Sequence, residues 1–306
     1  MDSFNPVTRQ GAAINDLWLW TLFPSALMLL LISGLLLYII IRFRGRPGEP
    51  DPPQVSGNRR LEIFWTATPA LILAVFFVLV VRTMRAVDAA SPSALRVEVL
   101  GHQWWWEYRY PALGVVTAGE LHLPAGEPAT LELSGADVIH SFWVPQFGWK
   151  RDAIPGKVNL MPVQVDRPGV YDGTCTEYCL TQHAWMRIRV VAEPREQFEA
   201  WVRQQQVPPP PPGGLAARGQ QLFLSNTCVN CHAIAGTGAG ARVGPDLSHL
   251  GSRSILGSGV VENTPDNLSR WIKNVQDVKP GVLMPAYQTL PDDDLRALVE
   301  YLEGLK

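Results

Sequence analysis

Cys175-Thr-Glu-Tyr-Cys179-Leu-Thr-Gln-His183-Ala-Trp-Met186 gathers two thiols, an imidazole and a thioether in one short loop. Soft sulfur with imidazole is a ligand set that suits copper. The chain has four cysteines, and half of them lie here. A zinc site and a Cys175–Cys179 disulfide are the competing readings. Structural zinc has little use for Met186, and a disulfide would leave His183 and Met186 without a role. Mononuclear blue copper takes one Cys, two His and a weak Met. Two cysteines therefore point beyond a single ion.

Upstream of the loop the chain reads as β structure. Leu95–Leu100 alternates as a half-buried strand does. Strand-like runs follow at Glu120–Leu123, Ala129–Leu133, Lys157–Val165 and Arg187–Val191, separated by turn residues such as Gly126, Gly135, Pro155 and Gly156. This spacing predicts a β-sandwich or barrel of about a hundred residues. Trp104, Trp105 and Trp106 form an aromatic run whose neighbours must face opposite ways on a strand.

Further upstream lie two long apolar runs, expected as membrane helices over about 17–41 and 63–85. Pro24 and Pro69 are expected near helix starts, where a missing N–H costs least. The intervening loop carries Arg42, Arg44, Arg46, Arg59 and Arg60. That excess places the loop in the cytoplasm and both termini outside. The pattern reads as an uncleaved anchor rather than a signal peptide. The net charge of −2 gives no reason to expect nucleic acid as a partner.

Downstream of the loop, Pro194–Gln206 reads as a helix. Pro208 to Pro212 and Gly213-Gly214 then form a stiff spacer with a flexible joint. Helices are expected over Ala216–Leu224, Pro265–Asn274 and from Pro291 to about Leu302. Asp292–Asp294 would favour the dipole of the last helix; a partner-docking patch is the alternative. Within this region, Cys228-Val-Asn-Cys231-His232 is a c-type haem attachment signature. The two thiols suit thioether bonds to haem vinyl groups, and His232 suits one axial position. Met284 is the one methionine after Met186 and the candidate for the other axial position. His249 is expected to have no iron role, and His102 and His122 to make ordinary hydrogen bonds.

The C-terminal region resembles a class I cytochrome c, through the haem signature, Gly219, Phe223, Gly244-Pro-Asp-Leu247, Trp271 and Tyr301. The chain up to about Val191 resembles subunit II of haem–copper cytochrome c oxidases. Four segments carry that likeness: Gly101–Trp106, Val138–Pro145, Asp152–Gly156 and the Cys175–Met186 loop. The combined resemblance implies a multidomain chain: a two-helix transmembrane hairpin, an all-β cupredoxin-like Greek-key barrel and an all-α class I cytochrome c domain. The expected divisions are 1–92, 93–195, a helix and linker over 196–214, and 215–306.

The same resemblance implies a binuclear CuA centre. Cys175 and Cys179 would bridge, His140 and His183 would be terminal ligands, and Met186 and the Glu177 carbonyl would complete the shells. The Glu177 carboxylate matches a ligand of a magnesium or manganese ion at the subunit I interface. Trp104 matches the residue that receives electrons above CuA, and Glu62 an acid at the mouth of a proton pathway. Implied cofactors are thus CuA and covalent haem c. Implied partners are subunit I, other oxidase subunits, and cytochrome c or a cytochrome bc complex as donor. The setting would be a bacterial cell membrane, with both C-terminal domains on the outer face. The expected activity is that of a subunit of a proton-translocating cytochrome c oxidase, with oxygen reduced in subunit I. A free-standing membrane-anchored carrier is the alternative. The intact copper loop argues against a quinol oxidase subunit.

Overall fold

The computed structural model describes residues 4–45, 48, 53–54, 56–88 and 95–306. Arg46 and the expected boundary at Ser93 lie outside the described residues. The chain divides into two compact units, Ala12–Ala89 and Met1–Gly11 with Ala90–Lys306.

The first unit contains most of α1 (Arg9–Arg42) and α2 (Arg59–Asp88). At 34 and 30 residues, both exceed the roughly 20 that cross a bilayer core. Phe23, Leu30 and Phe77 are each at least 70% exposed, a surface that water does not favour. The helices extend beyond 17–41 and 63–85 because their polar ends also coil. Asn58 Oδ1 accepts from the amides of Arg60 (3.1 Å) and Leu61 (3.2 Å), capping α2. Pro24 and Pro69 consequently sit inside the helices and not near their starts. Close to Pro24, Thr21 and Ser25 hydroxyls donate to the carbonyls of Trp18 and Thr21, both at 2.7 Å. Such side-chain bonds are among the devices that let an apolar helix tolerate proline.

The second unit opens its β region with β1 (Leu95–His102), β2 (Trp105–Tyr110), β3 (Val115–Ala118), β4 (Glu120–Pro124) and β5 (Pro128–Gly135). It continues with β6 (His140–Trp143), β7 (Lys150–Ala153), β8 (Asn159–Gln164), β9 (Gly169–Cys175) and β10 (Arg187–Glu193). They form two five-stranded sheets, ordered β3-β2-β1-β5-β8 and β4-β10-β9-β6-β7. Alternate residues turn inward: Val97 and Val99 from β1, Leu131 and Leu133 from β5, Ile188 and Val190 from β10. They meet Trp106, Tyr108, Phe142 and Met161 in one core shared by both sheets. Burial of such faces is what fixes strand register. The segment before α1 closes onto this core, with Val7 N bonded to Gln146 O (3.0 Å) and Asp166 N to Val7 O (2.8 Å).

Helix α3 (Arg195–Gln205) buries Phe198 and Val202 against the same core. After the proline run come α4 (Gly214–Ser225), β11 (Ile255–Leu256), β12 (Val261–Glu262), α5 (Pro265–Lys273), the single turn α6 (Val275–Val278) and α7 (Asp292–Glu303). The expected all-α region therefore includes a small hairpin, turned at Gly257, Ser258 and Gly259, all with positive φ. Gly219 lets α4 approach α7: a Cβ there would lie 2.0 Å from Ala297 O. A second core forms around Phe223, Leu268, Leu298 and Tyr301. The first-turn aspartates of α7 are paired within the chain, Asp292 with Lys273 at 3.0 Å, Asp293 with Arg296 and Asp294 with Arg218.

Candidate metal and haem centres

Two strands and one loop assemble the copper-type cluster. β6 begins at His140, β9 ends at Cys175, and the loop to β10 supplies Cys179, His183 and Met186. His140 and Met186 are fully buried, as is Cys179. Cys175 Sγ lies 3.9 Å from Cys179 Sγ, so the pair is not a disulfide. His140 Nδ1 is 4.0 Å from Cys175 Sγ. His183 Nδ1 and Met186 Sδ lie 3.6 and 3.9 Å from Cys179 Sγ. The Glu177 carbonyl is 3.3 Å from Cys175 Sγ. All six expected donors are therefore in one place. Donors bound at roughly 2.0–2.3 Å to a shared ion stand apart by about this much.

Charge favours a cation here. Cys179 draws the Cys175 thiol well below its usual range, while Cys175 and burial push the Cys179 thiol up. Two thiolates this close repel, and only a cation between them lets both ionise.

Asp137 aims the buried imidazole. Its carboxylate accepts from Val138 N (2.6 Å) and Gln103 N (2.7 Å) and holds His140 Nε2 at 2.9 Å. Nδ1 is thereby left facing sulfur. Asp137 escaped the sequence reading; an acid three residues before a candidate ligand is the available signal. The variant D137N should weaken copper loading about 10–100-fold. Metal titration against the haem band as internal reference measures it.

Trp104 is 7% exposed and donates its indole N–H to Cys179 O at 2.6 Å. Trp106 points into the core and Trp105 stacks on His102, giving the expected alternation. His102 and His122 bond to Glu107 (3.1 Å) and Glu193 (3.0 Å), away from the cluster. Glu62 stands exposed in the first turn of α2.

At the haem signature, a tight turn over Thr227–Asn230 brings His232 N to Cys228 O at 3.0 Å. His232 Nδ1 donates to Pro245 O at 2.8 Å. Burial lowers the His232 pKa, keeping the ring neutral. The lone pair of Nε2 is thus available to iron. Gly244 is required beside it, since a Cβ would come within 2.7 Å of His232 Cε1. Met284 is half-buried in the segment between α6 and α7. Tyr287, three residues on, reaches Cys228 Sγ at 3.8 Å and Thr227 Oγ1 at 2.6 Å. The donor set and ring tautomer both fit a covalent haem. His249 is buried, with Nε2 on Gln205 O at 3.2 Å.

Comparison with known proteins matches three family models. Residues 4–82 match the transmembrane domain of cytochrome c oxidase subunit II, 115–193 its periplasmic domain, and 216–306 cytochrome c. Cytochrome c oxidase subunit 2 of Alkalihalophilus pseudofirmus is 35% identical over 100% of this chain and 91% of its own length. The Bacillus subtilis protein of the same name is 33% identical over 88% of this chain and 82% of its own. Among solved structures, the periplasmic domain of subunit II of cytochrome oxidase from Bradyrhizobium japonicum is 29% identical. It covers 39% of this chain and 97% of that one, with a TM-score of 0.38.

Proposed function

The chain belongs to the cytochrome c oxidase subunit II family, and on that footing we propose how its residues divide the work. As a member it is part of an oxidoreductase complex, carrying electrons toward subunit I. Cys175 and Cys179 would hold CuA as its shared thiolates, His140 and His183 would ligate it through imidazole, and Met186 and the Glu177 carbonyl would bind weakly. Cys228 and Cys231 would hold haem c through thioethers, and His232 and Met284 would ligate its iron. When bound, these groups would supply one-electron sites whose geometry changes little on electron transfer.

The chain's own groups do the rest. Asp137 orients His140, Trp104 lies against the Cys179 carbonyl on the electron-receiving side, and Pro245 O fixes the His232 tautomer. The Glu177 carboxylate is assigned to a magnesium or manganese site facing subunit I, and Glu62 to the mouth of a proton pathway. The proposed domains are the hairpin to residue 92, a cupredoxin domain over 93–195 whose two sheets close as a Greek-key barrel, and the cytochrome c domain from 215. The arginine-rich loop faces the cytoplasm of a bacterial cell, and both C-terminal domains lie outside. A cytochrome c or a cytochrome bc complex delivers electrons to the haem region.

The observation that carries this reading is that His140 from β6 and, from the 175–186 stretch, His183, Met186 and the Glu177 carbonyl gather around the buried sulfurs of Cys175 and Cys179. Purification under mild detergent tests it. Expected are co-isolation with a large haem-bearing membrane subunit, two coppers and one covalent haem per chain. Isolation as a functional monomer would remove the oxidase assignment.

A further inference from the structure

We propose that Lys279 is the positioning residue that latches the haem-bearing region onto the copper loop. The proposal rests on the metal and haem assignments above and adds a residue that neither of them uses. Lys279 follows α6 and precedes Met284 by five positions. Its side chain is 2% exposed. The Nζ donates to Trp104 O at 2.8 Å, Trp185 O at 3.2 Å and Gly257 O at 2.7 Å. An ammonium has three protons to donate, and here each finds a backbone carbonyl. Among the described residues it forms no ion pair with a carboxylate, so these carbonyls are what offsets its desolvation.

The three acceptors have different owners. Trp104 joins β1 to β2 and donates to Cys179 O. Trp185 directly precedes Met186 in the copper loop. Gly257 belongs to the β11–β12 turn of the haem-bearing region. One buried group thus ties the electron-receiving tryptophan and the copper loop to the stretch that leads to Met284. Around it the two surfaces exchange further bonds. Gln182 Nε2 donates to Pro280 O. Arg187 N donates to Ser258 O at 3.1 Å, and Ser254 N to Glu120 Oε1 at 2.9 Å. Val282 packs on the β-region core.

This arrangement covers the face of Trp104. An external donor would meet the haem-bearing region first and would reach copper through it. A latch made of buried carbonyl bonds also differs from docking by surface charge, because salt screens the latter strongly and the former little. Lys279 takes part in no bond making; it sets the distance across which one electron leaves the haem and is taken up by the copper pair.

The test uses the assembled oxidase and two readouts. Hydrogen exchange at the Arg187 and Ser254 amides reports the contact itself. Light-triggered electron transfer from haem c to copper reports its consequence. In K279M both amides should exchange at least tenfold faster, with interior strand amides such as Val99 unchanged. Electron transfer should slow at least tenfold while the copper near-infrared band and the haem band keep their wild-type intensity. K279Q retains two N–H donors and should fall between. Wild-type exchange and transfer in K279M, with both bands present, would overturn the latch. Absence of either band from the wild-type complex would instead sink the metal and haem assignments. Should K279M not assemble, the wild-type complex decides. Protected Arg187 and Ser254 amides with a salt-independent transfer rate support the latch, and exchange at the rate of an open loop rejects it.

Discussion

The Cys179→Ser variant is expected to lose its near-infrared copper absorption entirely and to bring oxidase turnover to the assay floor, with haem c retained. Cys179 is the hub of the cluster, its Sγ lying 3.9 Å from Cys175 Sγ, 3.6 Å from His183 Nδ1 and 3.9 Å from Met186 Sδ. A serine hydroxyl is a hard donor that stays protonated near neutral pH, so it cannot serve as a soft anionic bridge. What remains is one thiolate and two imidazoles, a set that suits a single copper. The metal count should therefore fall from two coppers to at most one per chain. The haem signature belongs to a separate core, so covalent haem should be unaffected. A near-infrared band surviving in this variant would refute the bridge assignment.

Replacing Met284 by His is expected to lower the haem potential by on the order of 100 mV, within the ~0.8 V that axial ligation spans. A thioether is a weak donor that favours ferrous iron, whereas imidazole stabilises ferric iron. His232, whose Nδ1 donates to Pro245 O, is the residue proposed for the first position. Met284 is placed by the Tyr287 contacts to Cys228 and Thr227, which bring its segment beside the haem signature. Spectroelectrochemical titration of the haem band measures the shift. An unchanged potential would mean that another group holds the distal position.

Much of this architecture is legible from residue order. Two apolar runs, a Cys-rich loop and a haem signature are local patterns, and each maps onto the structural element it implies. The five strands expected from alternation are all present, with shifted ends: β1, β4, β5, β8 and β10. Of the other five, only β2 is hinted at, by its aromatic run, and two of the remaining four carry ligands. β6 is four residues long, too short for a periodic signal, yet begins at His140. β9 reads Gly-Val-Tyr-Asp-Gly-Thr-Cys, with glycines that weaken any strand reading, yet ends at Cys175. The pairing of these strands with each other, Phe142 opposite Cys175, supplies the order that sequence alone conceals.

Residue order already marks the side chains able to bind metal and iron, because that chemistry belongs to residue identity. It also marks which segments favour lipid, because apolar length is additive along the chain. Folding alone sets how Asp137 turns His140 toward sulfur, and that Lys279 binds Trp104, Trp185 and Gly257. The reason is physical: the acceptors of Lys279 are backbone carbonyls, identical at every position in the chain. Nothing in a residue's identity marks which carbonyl is presented, and only the approach of distant segments makes three of them converge on one ammonium.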